Sequence, residues 1–262
     1  MVDQTRVIGI INFKGGVAKS TTAINMAEIL CRRYNKHVLM WDNDFQGNTT
    51  KFYKFYNPDI RSGAARILIK DTSADIICNT STPGLDLITA NTALLTDSWT
   101  LTQSAEDADQ HLRYKAFLDR HAGEYDFVII DNPPNIPMNV INAMVIMDDV
   151  IVPVKLDVWA LDGLDIIADQ IRDAKTYNPD ICLRGCLITV HRRSAAAQVA
   201  GEEWLRIKSG YPVFHQTIRY SERMDESIYC KQGIAEYSRR SAAAIDYIRF
   251  VSEYMDKIGG IR

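Results

Sequence analysis

The stretch Arg6-Val7-Ile8-Gly9-Ile10-Ile11-Asn12-Phe13-Lys14-Gly15-Gly16-Val17-Ala18-Lys19-Ser20-Thr21 passes from an apolar run through two glycines into a helix-forming sequence. Arg6–Asn12 reads as a buried strand and Ser20–Tyr34 as the helix behind it. The glycines between them let the backbone curl so that successive N–H groups converge on an anion. The helix beginning near Ser20 aims its unpaired N–H groups and the positive end of its dipole at the same point. In such a junction Lys19 is placed to reach the β- and γ-phosphates of a nucleotide, and the Ser20 hydroxyl to hold Mg²⁺.

Outward from this junction, apolar runs alternate with helical patterns. Strands are predicted at His37–Trp41, Leu85–Ile88, Asp126–Ile130, Val150–Val154 and Leu183–Val190, and another near Val213–Ile218. They are rich in Val and Ile and do not alternate with polar residues, as expected of a parallel sheet covered on both faces. Helices are predicted at Ala108–His121, Pro137–Met147, Leu161–Tyr177, Ala195–Ser209 and Ser241–Lys257. The last has Ile245, Ile248, Val251 and Met255 at helical spacing, a face for docking on the core. Strand–helix alternation predicts an α/β fold, a doubly wound and mostly parallel sheet with helices on both faces. No linker, repeat or low-complexity tract divides the chain, so residues 1–262 are expected to form one domain. Asn57–Ser104 shows only the Leu85–Ile88 strand amid polar, Thr-rich sequence.

The chain has 262 residues, 47% apolar and 24% charged, with 30 basic and 33 acidic side chains. That length buries enough surface to need no disulfide or metal staple. Cys31, Cys78, Cys182, Cys186 and Cys230 are too scattered for a disulfide scaffold, and no second Cys/His pair stands at zinc spacing from Cys182 and Cys186, so reduced cytosolic thiols are expected. No apolar run approaches a membrane span and the N-terminus does not read as a signal peptide. A net charge of −3 argues against an overall basic nucleic-acid binder, yet residues 183–262 hold 13 basic and 9 acidic residues, a net of +4.

Phosphoryl transfer needs a metal and a group that positions water, so carboxylates are expected at other strand ends. Asp42-Asn43-Asp44-Phe45-Gln46-Gly47-Asn48-Thr49 follows the second strand, and Asp131-Asn132-Pro133-Pro134 follows Phe127–Ile130. The glycine loop does not follow the standard G-x-x-x-x-G-K-[ST] pattern, whose glycine positions are Phe13 and Ala18 here. Lys14-Gly15-Gly16-Val17-Ala18-Lys19-Ser20-Thr21 instead resembles the deviant Walker A motif, KGGxGKT, of the ParA/MinD ATPases. The second segment resembles their D-x-D-P-Q-G-N-x-T, with Phe45 for proline, and the third their Walker B segment D-x-P-P. Leu85–Asn91, Pro153–Gly163 (with Asp157 and Asp162 at glutamate positions), Thr217–Glu226 and Lys231–Tyr237 parallel further family segments. The likeness therefore covers nearly the whole chain and is nearest the short Soj-type partition ATPases.

The resemblance implies ATP and Mg²⁺ as cofactors and a slow, partner-stimulated ATPase. Gly15, Gly16, Val17, Ala18, Lys19, Ser20 and Thr21 would cradle the phosphates, with Lys14 contacting the nucleotide of a second subunit. A charge supplied that way contributes about 10³–10⁵ in rate in other nucleotide hydrolases. Asp44 would orient water and the Mg²⁺ shell, Asp131 would hold a Mg²⁺-bound water, and Asp42 would support them. Ile218, Arg219 and Tyr220 would flank the adenine. An alanine at position 18, if that residue needs φ > 0, costs on the order of 1 kcal/mol. The implied cycle is an ATP-bound sandwich homodimer that binds double-stranded DNA without sequence preference and is released by a ParB-type partner, in the cytoplasm and on the nucleoid. Arg219, Arg223, Lys231, Arg239 and Arg240 would contribute the positive charge that drives such binding, with Arg192 and Arg193 as weaker contributors. The chain begins at strand one, so the N-terminal helix-turn-helix of longer ParA proteins is expected to be missing. Three other readings were set against this one. A MinD-like membrane cycle would want a terminal basic amphipathic helix, and the chain stops at Lys257–Arg262 instead. An iron–sulfur reductase would need a cysteine after Asp131, where Asn132-Pro133-Pro134-Asn135 stand. A ParA-like ATPase positioning a protein cargo is not separated from DNA partition by sequence.

Overall fold

The computed structural model describes residues 5–71, 75–104, 108–157, 162–192 and 194–259. Seven strands, β1 (Arg6–Ile10), β2 (Val38–Asp42), β3 (Ile77–Asn79), β4 (Leu85–Ile88), β5 (Phe127–Asp131), β6 (Asp149–Lys155) and β7 (Cys182–Thr189), form one sheet in the order β3-β4-β2-β5-β1-β6-β7. All neighbours are parallel except β3, which runs antiparallel to β4 at the edge. The helices are α1 (Lys19–Tyr34), α2 (Asn48–Phe52), α3 (Gly63–Leu68), α4 (Thr92–Gln103), α5 (Arg113–Asp119), α6 (Met138–Ile146), α7 (Asp162–Ala174), α8 (Ala196–Ile207), α9 (Glu222–Tyr229), α10 (Ile234–Tyr237) and α11 (Ala242–Lys257).

The strands are apolar at every position because the sheet is covered twice. Ile8, Met40 and Ile129 face α1 and α11, where Met26, Leu30, Tyr247, Phe250 and Tyr254 fill one core. Their neighbours Val7, Leu39 and Val128 face the other way, onto Leu68, Tyr114, Val140 and Ile167. Burying both faces removes the polar alternation that a one-sided sheet shows. The fully buried Asp149 ties this sheet to α11, accepting hydrogen bonds from Arg6 Nε (2.6 Å), Arg184 Nε (2.7 Å) and the Tyr254 hydroxyl (2.7 Å). Among the described residues no helix is long and apolar enough to cross a membrane.

One expected strand is not formed. Val213–Ile218 runs beside β7 but makes only isolated bridges, Cys186 to Val213 and His191 to Arg219. The amides of His215 and Gln216 turn away to the Glu253 carboxylate of α11, at 2.8 and 2.9 Å, so the ladder breaks between the bridges. The segment that showed a single strand also contains α3, α4 and β3, and the expected helix from Ala108 resolves into a 3₁₀ turn at Gln110–Leu112 followed by α5.

Candidate functional site

The sheet order places β5 between β1 and β2, so the three motif-bearing strands lie side by side. Asp131 is in register with Ile10 on one side and with Asp42 on the other. The glycine loop, the Asp42–Asp44 turn and the Asp131 turn therefore leave the sheet at one level. Chain direction across the sheet reverses here, and in open α/β sheets such a crevice at the strands' carboxyl ends is where ligands bind.

The loop after β1 is held from two sides. Asn12 donates to the Pro153 carbonyl of β6 (2.8 Å) and accepts from the Lys14 amide (2.9 Å), while Thr189 of β7 donates to the Val17 carbonyl (3.0 Å). Gly16 has φ +71° and Ala18 has φ 65° and ψ 35°, so both occupy the left-handed region. Ala18 then presents its carbonyl to the Thr22 amide (2.9 Å), which starts α1 directly beneath the loop. Lys19 is buried, and its ammonium donates to the Lys14 carbonyl at 3.0 Å. Burial pulls the Lys19 pKa down, while the charges of Asp131 and Asp44 push it back up.

Above the loop lies a cavity of about 450 Å³ lined by Gly15, Lys19, Ser20, Asp44, Pro134 and Lys231, among others. The Asp44 carboxylate accepts from the Gln46 amide at 2.9 Å. Asp42 accepts from the Thr50 amide and hydroxyl, both at 2.7 Å, so it fastens α2 to the end of β2. One Asp131 oxygen accepts from the Thr49 hydroxyl at 2.8 Å, and the other, Oδ1, is buried with no hydrogen-bond partner. Burial raises the pKa of Asp42 and of Asp131, and each carboxylate lies near other acidic groups. The nearby hydroxyls of Ser20 and Thr49 and the Lys19 charge act against that burial at Asp131. A buried carboxylate oxygen without a partner costs free energy unless a cation or donor meets it. Ser20 and Asp44 at the cavity wall, with the fully buried Asp131 beside Ser20, thus suit a divalent cation. Among the described residues no group of three His, Cys, Asp or Glu makes an all-protein metal cage. Mg²⁺ is commonly held by one or two carboxylates together with phosphate oxygens and water.

A second cavity, of about 280 Å³, opens on the other side of the same loop. Gly16, Ala18 and Thr21 line both cavities, so the two meet across the loop. The walls of the second are largely apolar, from Val190, Ile218, Met224 and Tyr247, with Arg219 and Tyr220 at its border. Val190 is a β-branched residue at φ 53°, an uncommon and strained conformation. Past it the His191 amide donates to the Ile218 carbonyl (2.9 Å) and the Tyr220 amide to the His191 carbonyl (3.0 Å), which fixes this wall. The Arg192 guanidinium stacks on the Tyr220 ring, 3.8 Å from its centroid. A larger cavity of about 650 Å³ lies elsewhere, between β3 and α5 near Asn79 and Arg120, and contains none of the motif residues.

The remaining expected residues fall into three groups. Lys14 is paired with Asp157 of its own chain. Arg219 is committed to Asp246, to which it donates through Nε and Nη2, both at 2.7 Å. Arg223 and Arg239 are exposed and paired with Glu226, three residues after, and Glu236, three residues before, whereas Arg240 is exposed and has no partner among the described residues. Lys231 sits at the wall of the loop cavity. Arg193 lies outside the described residues. Sequence reasoning did not single out Thr49, Val190, Asn43 or Asn132. Thr49 stands inside the quoted D-x-D segment, but nothing local marks it as the donor to a carboxylate 82 residues away.

Comparison with known proteins gives concordant results. The family described as an AAA domain matches residues 5–183. The chain is 31% identical to the sporulation initiation inhibitor protein Soj of Bacillus subtilis, over 95% of this chain and 97% of that one. It is 30% identical to the chromosome-partitioning ATPase Soj of Thermus thermophilus, over 97% of each. Among solved structures it superposes on cobyrinic acid a,c-diamide synthase from Mycobacterium smegmatis, crystallised with ADP and magnesium. That match has a TM-score of 0.83 and 26% identity, and covers 98% of this chain and 97% of that one.

Proposed function

This chain belongs to the ParA/MinD family of ATPases, in its Soj-type branch, and from that premise we propose that residues 1–262 act as one partition ATPase domain cycling on DNA. The observation that carries the reading is the pair of cavities joined across a loop of inward-turned backbone, one lined by Lys19, Ser20 and Asp44 and the other apolar. A triphosphate with its cation suits the first, and a flat base between Ile218 and Tyr220 suits the second. The relative crystallised with ADP and magnesium supports the same pairing of ligands.

In this reading Lys19 and the loop amides bind the β- and γ-phosphates, Ser20, Asp44 and Asp131 hold Mg²⁺ directly or through water, and Asp44 also orients the attacking water. The cation offsets the charge that develops on the transferred phosphoryl group. Lys14 serves a second copy of the chain. Its partner Asp157 is about as exposed as Lys14 itself, and exposed ion pairs contribute only about 0.2–1 kcal/mol. A triphosphate presented across a dimer interface therefore draws Lys14 away at little cost. The basic excess of residues 183–262, with Arg223, Arg239 and Arg240 exposed, supports contact with DNA phosphates. Arg219, whose donors are held by Asp246, contributes least to that contact. A ParB-type protein then stimulates hydrolysis and release.

The test is ATP turnover and molecular mass in solution, with and without duplex DNA. Mg²⁺-ATP should convert monomer to dimer, and only the dimer should bind DNA of any sequence, with affinity falling steeply as salt rises. A protein that stays monomeric with Mg²⁺-ATP, or that binds DNA equally well without nucleotide, refutes this function.

A further inference from the structure

The two acidic turns of the site are fastened together by a buried amide network. Asn43 stands between Asp42 and Asp44, and Asn132 directly follows Asp131; both are fully buried. The Asn43 amide donates to the Asn132 side-chain carbonyl at 2.8 Å and to the Asn139 backbone carbonyl at 3.2 Å. Its own oxygen accepts from the Tyr114 hydroxyl (2.7 Å) and from the Asn139 amide (3.0 Å). All four hydrogen-bonding positions of the Asn43 side chain are thus filled. Asn132 in turn donates to the carbonyl of Ile10, the last residue of β1, at 3.3 Å and to that of Ile130 at 3.1 Å. The backbone adds one more tie, from the Asn43 amide to the Asp131 carbonyl at 2.9 Å.

This side-chain bridge spans the ends of β1, β5 and β2, the three strands that carry the glycine loop, Asp131 and Asp44. Neither Asn43 nor Asn132 lines the cavity, and their side chains are spent on protein partners, so they are not placed to hold a ligand there. Burying two amides at sheet ends is unfavourable unless each is satisfied, and a satisfied network fixes one geometry rather than several. What it fixes is the spacing between Asp44 and the partnerless Asp131 oxygen. The resembled motifs, D-x-D and D-x-P-P, leave both positions open, so this bridge is a property of this chain's own residues.

We propose that Asn43 and Asn132 are positioning residues that set the distance between the Asp44 and Asp131 carboxylates and thereby the affinity of the site for its divalent cation. The inference rests on the reading of those carboxylates as the cation's anchors. Outer-shell partners of metal ligands commonly contribute about 10–100-fold to metal affinity.

The experiment measures how much Mg²⁺ is needed for half of its effect on the binding of a fluorescent ADP, with ADP binding in chelator as baseline and melting temperature alongside. Asn43→Ala and Asn132→Ala should raise the Mg²⁺ requirement by about 10–100-fold and leave metal-free ADP binding unchanged. Asn178→Ala is the structural control. That amide, partly buried after α7, donates to the Met144 and Met147 carbonyls at 3.0 and 2.7 Å and reaches neither acidic turn. It should lower the melting temperature without moving the Mg²⁺ requirement. Should Asn43→Ala fail to fold, Asn43→Ser, which keeps a donor and an acceptor, carries the same expectation at smaller size. An unmoved Mg²⁺ requirement in the Asn43 and Asn132 variants, or an equal shift in Asn178→Ala, overturns the proposal. Asp44→Asn separates the two levels. If it shifts the requirement and the asparagine variants do not, the bridge alone is wrong, and if it has no effect, the reading of Asp44 falls instead.

Discussion

Replacing Ala18 by glycine should stabilise the nucleotide-free protein, and replacing Gly16 by alanine should destabilise it by a similar amount. The two residues sit in the same loop at nearly the same backbone angle, φ 65° and φ 71°. A residue with a Cβ in the left-handed region costs about 1–2 kcal/mol, a cost glycine does not incur. Against this, glycine gives the unfolded chain extra freedom, worth about 0.4–1 kcal/mol. The difference leaves Ala18→Gly more stable by roughly 0.5–1 kcal/mol. A Cβ built on Gly16 meets nothing within 4 Å, so Gly16→Ala carries the conformational cost alone. Gly47 shows what crowding adds. It has φ +63°, and a Cβ there would stand 2.8 Å from the Ala90 carbonyl oxygen and 2.8 Å from the Tyr56 ring. For a chain of this size each kcal/mol moves the melting temperature by about 2–4 °C. Ala18→Gly should therefore melt about 1–4 °C higher, Gly16→Ala lower by as much, and Gly47→Ala lower still. Urea titrations at constant m value would confirm that stability, not the unfolded state's compactness, has changed. A lower melting temperature for Ala18→Gly, or a neutral Gly16→Ala, would refute the assignment of strain to the loop.

Lys14→Ala should keep ADP binding and lose turnover by about 10³-fold or more, since it removes a charge supplied to the partner's nucleotide; single-turnover hydrolysis and equilibrium binding measured side by side check this. Asp149→Ala should cost about 3–5 kcal/mol in urea denaturation, because it leaves Arg6 and Arg184 without their buried carboxylate. Burial alone would push the Asp149 pKa up, but hydrogen bonds from Arg6, Tyr254 and Arg184 outweigh it and hold the value below the usual 3.8. Its stabilisation is thus complete above the ordinary carboxylate range and is lost as pH falls through the depressed folded value, so Asp149→Asn should flatten the acid limb of stability against pH. Arg223→Ala combined with Arg240→Ala should weaken DNA binding on all sequences alike and reduce its salt slope by about 2, read by anisotropy titrations at several salt concentrations.

The strands were legible because each is a continuous Val/Ile-rich run; Leu85–Ile88 agrees at both ends with β4, and β1 begins where it was expected, at Arg6. The short helices α2, α3 and α10 were not, since about one turn carries no measurable periodicity. α2 is fastened at its start by Asp42, at the end of the preceding strand, which accepts its Thr50 amide. The strand expected at Val213–Ile218 failed for a related reason: the Glu253 carboxylate, 38 residues away from His215, competes for the amides a ladder would need.

Local order in the sequence was enough to establish an alternating α/β chain, a glycine–lysine loop between the first strand and first helix, and acidic residues at two further strand ends. Each of these signals spans a few residues, within reach of backbone preference and hydrophobic patterning. Only the folded sheet decided that β5 inserts between β1 and β2, which brings Asp131 beside Asp42 and Asn132 beside an asparagine 89 residues away. It also decided which carboxylate oxygen is left without a partner and which lysine is held by its own chain. Those outcomes depend on hydrogen bonds and burial between distant segments, and no window of sequence contains both ends of such a contact.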